Sequence, residues 1–337
     1  YRDLVLGQLS AAGDYAERIL TIDSAVITSD SGRYVADGYL NADLALTTDT
    51  ASRFPDLPLD IRLQADDSRF DLVSVVLPSV EALYGQFSAD VRLTGTPYRP
   101  DLAGRASVID PRLKYFDLAE WIFADTVKFR MENNRIVLDD VRVFVSTRTN
   151  GKKDRGVPRK PDRKNRAFAQ LTGDLVFQSL DSLEYDIEMR SMTEMPFTYE
   201  LEDIRGRAKD IRLKIEGSSP PLVSGSLTLT EMEYRVPFAE PNEGSAILSA
   251  LSTSSSWDYN VDIDIPSKYF IKNEDLDAEL RGDINVAREE GRYRFLGQLE
   301  FINGRGFLFD KVFQIDPEQS TVTFDGREGL NPVLNVR

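Results

Sequence analysis

The sequence predicts a mostly β protein whose strands form one long antiparallel sheet with an apolar face and a polar face. Three observations support this prediction. Apolar and polar residues alternate over most of the chain, a strand-like motif with a central glycine recurs, and turn residues separate the copies. Helical patterns are confined to three short stretches, which we expect to form short helices that cap the sheet. These stretches lie near 71–83, over 116–123 and over 245–252.

The recurring glycine motif is clearest in "FLGQLEF", residues 295–301. Phe295, Leu299 and Phe301 alternate with polar residues, and Gly297 occupies the apolar register, where it has no side chain to pack. A missing side chain leaves room for tight curvature, so a row of such glycines predicts a line along which the sheet bends. The motif places these bending glycines at Gly7, Gly38, Gly85, Gly104, Gly173, Gly225, Gly282 and Gly297, with a weaker copy at Gly206.

The spacing of the glycines predicts hairpins. Gly85 and Gly104 are 19 residues apart, as are Gly206 and Gly225, and a shorter pair follows at 282 and 297. Turn-forming Pro, Gly, Asn and Asp residues lie within the pairs, as expected for two strands joined by a turn. Similar alternation fills the stretches between the pairs, so the strands are expected to form a meander.

An apolar face on every strand must be buried somewhere. A sandwich, a closed soluble barrel, a membrane barrel and a sheet folded around its own apolar face all satisfy this requirement. The glycines allow two sheets to approach in a sandwich as readily as they allow one sheet to curl. The residues expected to face inward are Val91, Leu93, Leu102, Val108, Leu227, Leu229, Phe295, Leu299, Phe301, Phe307, Phe309, Phe313 and Phe324.

Composition argues against an enzyme. The 337 residues include no cysteine and no histidine, which removes the usual nucleophile, general base and zinc ligands. Neighbouring carboxylates occur at Asp139-Asp140 and Glu289-Glu290, but adjacent residues on a strand point to opposite faces. Asp262 and the alternate Asp264 share one face without a calcium-loop signature. We therefore expect no catalytic residue, no cofactor and no metal site.

The charge of the chain is unevenly distributed. The formal net charge is −15, yet residues 148–166, "RTNGKKDRGVPRKPDRKNR", contain nine Lys and Arg and two Asp. The acidic remainder argues against a nucleic-acid-binding face. The basic run predicts a flexible, solvated loop over 147–168 between two β segments, 1–146 and 169–337. Contact with anionic lipid head groups is the alternative.

Neither a membrane-spanning run of about 18 apolar residues nor a signal peptide is visible. The chain begins at Tyr1 and ends on "NPVLNVR" within a strand pattern. It therefore reads as a fragment whose anchor or targeting signal lies outside it.

Two stretches resemble the C-terminal region of the TamB family, the inner-membrane subunit of the translocation and assembly module. Residues 70–108, "FDLVSVVLPSVEALYGQFSADVRLTGTPYRPDLAGRASV", follow the family order of an apolar segment, a glycine-containing strand and a "GT..P.L.G" hairpin. The terminal stretch is more similar from Leu276 onward and ends on the family's "NP.L" motif at Asn331-Pro332. The resemblance is weakest over 148–196.

The resemblance implies a curled sheet, or β-taco, with an apolar interior, as in AsmA-like and bridge-like lipid-transfer proteins. It implies a periplasmic segment of an inner-membrane-anchored protein that transfers phospholipid between membranes and has a TamA-like outer-membrane barrel as partner. The thirteen inward residues would then line the acyl-chain groove, and Leu299→Asp would block passage while leaving the fold largely intact. The alternatives are a chaperone-like scaffold that binds strands of outer-membrane proteins and a closed β-sandwich binding domain of the cell envelope.

Overall fold

The computed structural model shows an almost entirely β chain, as the sequence predicts. The described residues form one 20-stranded sheet, and their only helix is a 3-10 turn at Arg163–Asn165. No helix within these ranges is long and apolar enough to cross a membrane. The described residues are 8–29, 32–44, 54–69, 80–115, 119–147, 158–180, 182–198, 204–218, 220–235, 257–308, 311–328 and 332–337.

The strands follow one another along the chain. In order they are β1 (Gln8–Ala16), β2 (Ile19–Ser29), β3 (Gly32–Asn41), β4 (Leu59–Arg69), β5 (Val80–Thr96), β6 (Arg99–Tyr115), β7 (Trp121–Ala124), β8 (Thr126–Glu132), β9 (Arg135–Ser146) and β10 (Arg166–Ser179). The second half contains β11 (Ser182–Ser191), β12 (Met195–Thr198), β13 (Ile204–Gly217), β14 (Leu222–Tyr234), β15 (Asp258–Lys272), β16 (Leu276–Glu289), β17 (Arg292–Leu308), β18 (Lys311–Gln314), β19 (Thr321–Glu328) and β20 (Val333–Asn335).

Most strands pair with their sequence neighbours, and a short strand shares a longer partner with the strand beside it, as β12 and β11 share β13. β7 and β8 both pair with β6 and β9, and β18 and β19 both pair with β17. The pairing of β14 with β15 is parallel, which corrects the prediction of a purely antiparallel sheet. A parallel pair needs a long connection, and the chain between Tyr234 and Asp258 supplies one. All described strands join one sheet, so the described residues do not form a sandwich of two separate sheets.

The three predicted helices have different outcomes. Residues 245–252 and 71–79 lie outside the described residues, while residues 80–83 begin strand β5. Trp121 to Phe123 belong to strand β7, so the helix predicted there is wrong. Phe123 pairs with Phe144 of β9 and is buried, and this tertiary pairing outweighs the local pattern.

The predicted basic loop over 147–168 is shorter than expected at its C-terminal end. Its residues 158–165 contact the sheet, and strand β10 already begins at Arg166. Residues 148–157 lie outside the described residues.

The apolar face of the sheet is buried without a second layer. Leu280 has no solvent exposure and Ile265 is 1% exposed, although the described residues form only this one sheet. A flat sheet exposes both faces, so the sheet must curl around its own apolar face. The tightest packing joins β13 to β19 in a cluster of Ala208, Ile211, Leu229, Ile265, Ile271, Leu276, Ala278, Leu280, Leu299, Phe301, Ile315 and Val322, here called the closed core.

The outward face carries cross-strand ion pairs. Arg92 lies 2.5 Å from Asp60, and Arg281 lies 3.0 Å from Glu300. Exposed pairs of this kind contribute little to the free energy of unfolding, so their main effect is to make this face polar and hydrated. The alternation of residues along each strand therefore places charged side chains on the solvent-exposed face and apolar side chains on the buried face.

Candidate functional site

The candidate site is the apolar face that the sheet curls around. In the N-terminal half, Val91 of β5 pairs with Leu63 of β4 and with Gly104 of β6. Directly paired residues share a face. Val91 is 7% exposed, whereas Leu63 is 45% exposed, so this face is covered near β5 and open near β4.

The remaining predicted residues of this half lie on the same face. Leu93 pairs with Leu102, and Val108 pairs with Phe87 six residues along the same ladder, an even number that keeps both pairs on one face. Val108 is buried, while Leu93 and Leu102 are half-buried. The register therefore brings Val91, Leu93, Leu102 and Val108 together, as the alternation predicts.

The C-terminal half continues the apolar face across five strands. Leu227 pairs with Ile263, and Ile263 pairs in turn with Ile284. Ile284 faces Gly297, which lies opposite Phe324 of β19. These direct pairings form one continuous apolar row from β14 to β19.

The predicted residues of this half divide into two groups. Leu229, Leu299 and Phe301 belong to the closed core, where each is at most 6% exposed. Phe295 and Phe324 are half-buried, with ring centroids 5.9 Å apart, and Leu227 is also half-buried. The apolar face is thus fully covered by protein side chains in the closed core and partly exposed around Phe295, Phe324 and Leu227.

Two predicted residues near the C-terminus, Phe307 and Phe313, do not join this face in the same way. Ile302 is an extra residue in the β16–β17 ladder, and a one-residue shift moves later side chains to the other face. Phe307 therefore shares the polar face with Arg305. Phe313 pairs with Gly306 on short strand β18 and is 48% exposed. Phe309 lies outside the described residues.

The backbone conformation explains why glycine recurs at these positions. Gly297 has a φ of +139°, and a Cβ atom there would lie 2.3 Å from the carbonyl oxygen of Asp283. Only glycine adopts this mirror-image extended conformation readily, and only glycine leaves room for the neighbouring strand. The described members of the predicted set share φ values between +125° and +148°, and Gly7 lies outside the described residues. These members are Gly38, Gly85, Gly104, Gly173, Gly225, Gly282 and Gly297.

Register shifts add a second device for curvature. They occur in each of the consecutive pairings from β13 to β17, beside the closed core. Asp210 and Lys268, in the shifted segments of β13 and β15, have φ values of 51° and 58°. Bulges bend and twist a strand, so their alignment across neighbouring strands fits the tight curl at the closed core.

Sequence reasoning missed one cation on the apolar face. Arg288 continues the inward alternation of Ile284 and Val286 and is 5% exposed. Its guanidinium lies 5.5 Å from the ring centroid of Tyr293 and 6.0 Å from that of Tyr259, and it donates a hydrogen bond to the carbonyl oxygen of Trp257. The sequence could have predicted this inward position, because Arg288 follows Ile284 and Val286 at a spacing of two residues.

Two concave surfaces of the described residues combine charged and apolar side chains. One, of about 460 Å³, is lined by Arg212, Asp262, Asp264 and Asn285 and also by Leu227, Ile263, Ile284 and Leu296. The other, of about 760 Å³, has Arg105, Lys128, Arg130 and Asp139 among its lining residues. The charged groups in both linings are unfavourable neighbours for an acyl chain, whereas the apolar face carries few of them, so the apolar face is the candidate site.

The neighbouring carboxylates have local partners. Asp139 lies 3.0 Å from Arg130, and Asp140 accepts a 2.6 Å hydrogen bond from Gln170. Asp262 accepts a 2.8 Å hydrogen bond from the amide of Asn285, and Asp264 accepts a longer one from Thr228. Glu289 and Glu290 lie within ion-pair distance of Arg294 and Arg292. No group of three or more carboxylates in the described ranges is arranged to hold a metal ion.

One comparison with known proteins identifies a family. The family model described as the TamB C-terminal domain matches residues 161–337, about half of the chain. The match begins well before Leu276 and includes the stretch up to 196 where the sequence resembles the family least. The comparison with curated proteins gives no match, and the comparison with solved structures gives none either.

Proposed function

This chain belongs to the TamB C-terminal domain family, and we propose that its curled sheet forms a groove that carries phospholipid acyl chains between the inner and outer membranes. TamB proteins are transport and assembly proteins of the cell envelope, and the family is not known for enzymes. The proposed location is the periplasm, within a protein anchored in the inner membrane outside residues 1–337. The proposed partner is a TamA-like outer-membrane barrel.

The observation that carries the proposal is the continuous apolar face across the sheet. Each methylene group removed from water contributes about 0.8 kcal/mol, so an acyl chain exposed to water is unfavourable by on the order of 10 kcal/mol. A continuous row of apolar residues lowers that barrier without any catalytic group. The half-buried positions, such as Leu93 and Leu102, are the positions of this face that an acyl chain could contact.

Lipid bound to the purified chain tests the proposal directly. We expect mass spectrometry of solvent extracts to detect phospholipid after the chain is incubated with vesicles. Leu102→Asp should lower the recovered lipid several-fold, because it places a carboxylate on the half-buried apolar face. The control Val312→Asp introduces the same charge at a position that is 61% exposed and should leave the recovered lipid unchanged. An absence of phospholipid in the unmodified chain would overturn the proposal.

A second candidate function is a scaffold for strands of outer-membrane proteins. Strand β1 is exposed at every residue, and its one partner among the described strands is β2. An edge strand with unpaired backbone groups accepts an added strand. Two photo-crosslinkers separate the functions: one at Leu102 would label phospholipid in the first case, and one at Leu9 of β1 would label polypeptide in the second.

A further inference from the structure

The described residues of the basic run are fastened to the sheet. Residues 158–165, here called the basic strap, join β9 to β10 through several backbone contacts. Arg112 donates a 3.1 Å hydrogen bond to the carbonyl oxygen of Pro158, and the amide of Thr147 donates to the carbonyl oxygen of Asn165 at 2.9 Å. Arg166 donates to the carbonyl oxygen of Pro161 at 2.9 Å. The strap therefore has a defined path over the sheet.

Two cations hold this path in place. The Lys160 ammonium lies 2.6 Å from Asp125 and 3.0 Å from Asp110. Its hydrogen bond lowers the pKa of Asp125, so that this carboxylate is charged at neutral pH. Lys160 and Arg166 also lie over the ring of buried Phe144, at 5.5 Å and 4.2 Å from its centroid. These two positive charges therefore interact with groups of the protein itself.

The other three cations of the strap form no close contact of this kind in the described part of the chain, although Arg163 adds to the electrostatic lowering of the pKa of Asp125. Arg159, Arg163 and Lys164 are exposed. Within the described part of the chain, none of the three has an ion pair with a carboxylate of the sheet, unlike most arginines of the outward face. The nearest acidic residue in the strap is Asp162, which makes no capping hydrogen bond. The strap thus presents a small positive surface on a strongly acidic protein.

We propose that the basic strap binds the surface of anionic phospholipid bilayers through Arg159, Arg163 and Lys164. A flat bilayer can contact the three exposed cations of the strap at once, because they lie within six residues of one another. A nucleic acid would run along the acidic remainder of the molecule and be repelled by it. Each basic residue near an anionic membrane raises affinity about fivefold, so three residues give about 100-fold in total. Such a contact is reversible, and it does not depend on lipid entering the groove.

Vesicle binding by the whole chain tests this proposal. Vesicles of phosphatidylcholine alone are compared at low salt with vesicles that also contain phosphatidylglycerol, and bound protein is measured by co-sedimentation. The strap variant combines Arg159→Gln, Arg163→Gln and Lys164→Gln. The control variant combines Arg105→Gln, Lys128→Gln and Lys311→Gln, which removes the same charge from exposed positions elsewhere.

We expect the strap variant to lose about 100-fold in affinity for the anionic vesicles, and the control variant to lose only a few-fold. Equal losses in the two variants would show that net charge alone matters and would overturn the proposal. Equal binding of the unmodified chain to neutral and anionic vesicles would do the same. Leu102→Asp should retain vesicle binding while losing extracted lipid, so failure of the groove and failure of the strap are distinguishable.

Discussion

Replacement of Gly297 by alanine is expected to destabilise the protein by about 3 kcal/mol or more. A residue with a side chain held at a φ of +139° is strained by about 1–3 kcal/mol. Its Cβ atom would also lie 2.3 Å from the carbonyl oxygen of Asp283, so strands β16 and β17 must separate. Urea unfolding followed by circular dichroism measures the loss, because the change in midpoint reports the change in stability.

Gly306→Ala is the matched control for this prediction. Gly306 lies in the same strand, has no φ in the left-handed region, and a Cβ atom there would meet no atom within 4 Å. We expect its effect to stay within about 1 kcal/mol. Equal losses for the two variants would mean that the glycines of the motif are not required by the backbone, and that the repeated pattern has another cause.

The face of each strand was predictable because alternation is a local property. Val91, Leu102 and Leu227 stand in clear period-two patterns, and the pairings place them on the apolar face. The position of the glycines was also predictable. The reason for these glycines was not predictable. A sequence motif cannot show that a Cβ atom at Gly297 would lie 2.3 Å from the carbonyl oxygen of Asp283.

The features that the sequence did not predict are those that depend on pairing. Nothing in the sequence distinguishes Ile302 from other strand residues. In the structure, β17 has one residue more than β16 at this point, Ile302 is left without a partner, and Phe307 consequently lies on the polar face. The parallel pairing of β14 with β15 likewise depends on the path of the chain between Tyr234 and Asp258. The strap contacts of Lys160 arise because two distant aspartates, Asp110 and Asp125, lie beneath it.

Exposure along the apolar face also depends on pairing, and it alters the expected effect of Leu299→Asp. The alternation alone predicts a blocked groove in an intact fold, since every inward residue of a strand looks alike in the sequence. In the structure, Leu299 is 3% exposed within the closed core and pairs with Gly282 and Val322. Leu102, in contrast, is only half-buried, near the hairpin end of β5 and β6.

Leu299→Asp is therefore expected to destabilise the protein by about 4 kcal/mol or more, because it removes a buried leucine and introduces a carboxylate without a partner. Val312→Asp, at an exposed position, should change stability by less than about 1 kcal/mol. Thermal unfolding of both variants measures the difference. A stable Leu299→Asp variant would mean that the closed core tolerates a buried carboxylate, which would contradict the close packing of Leu299. A variant that does not fold fits the burial of Leu299, and under the proposed function an acyl chain would then contact half-buried positions such as Leu102 instead.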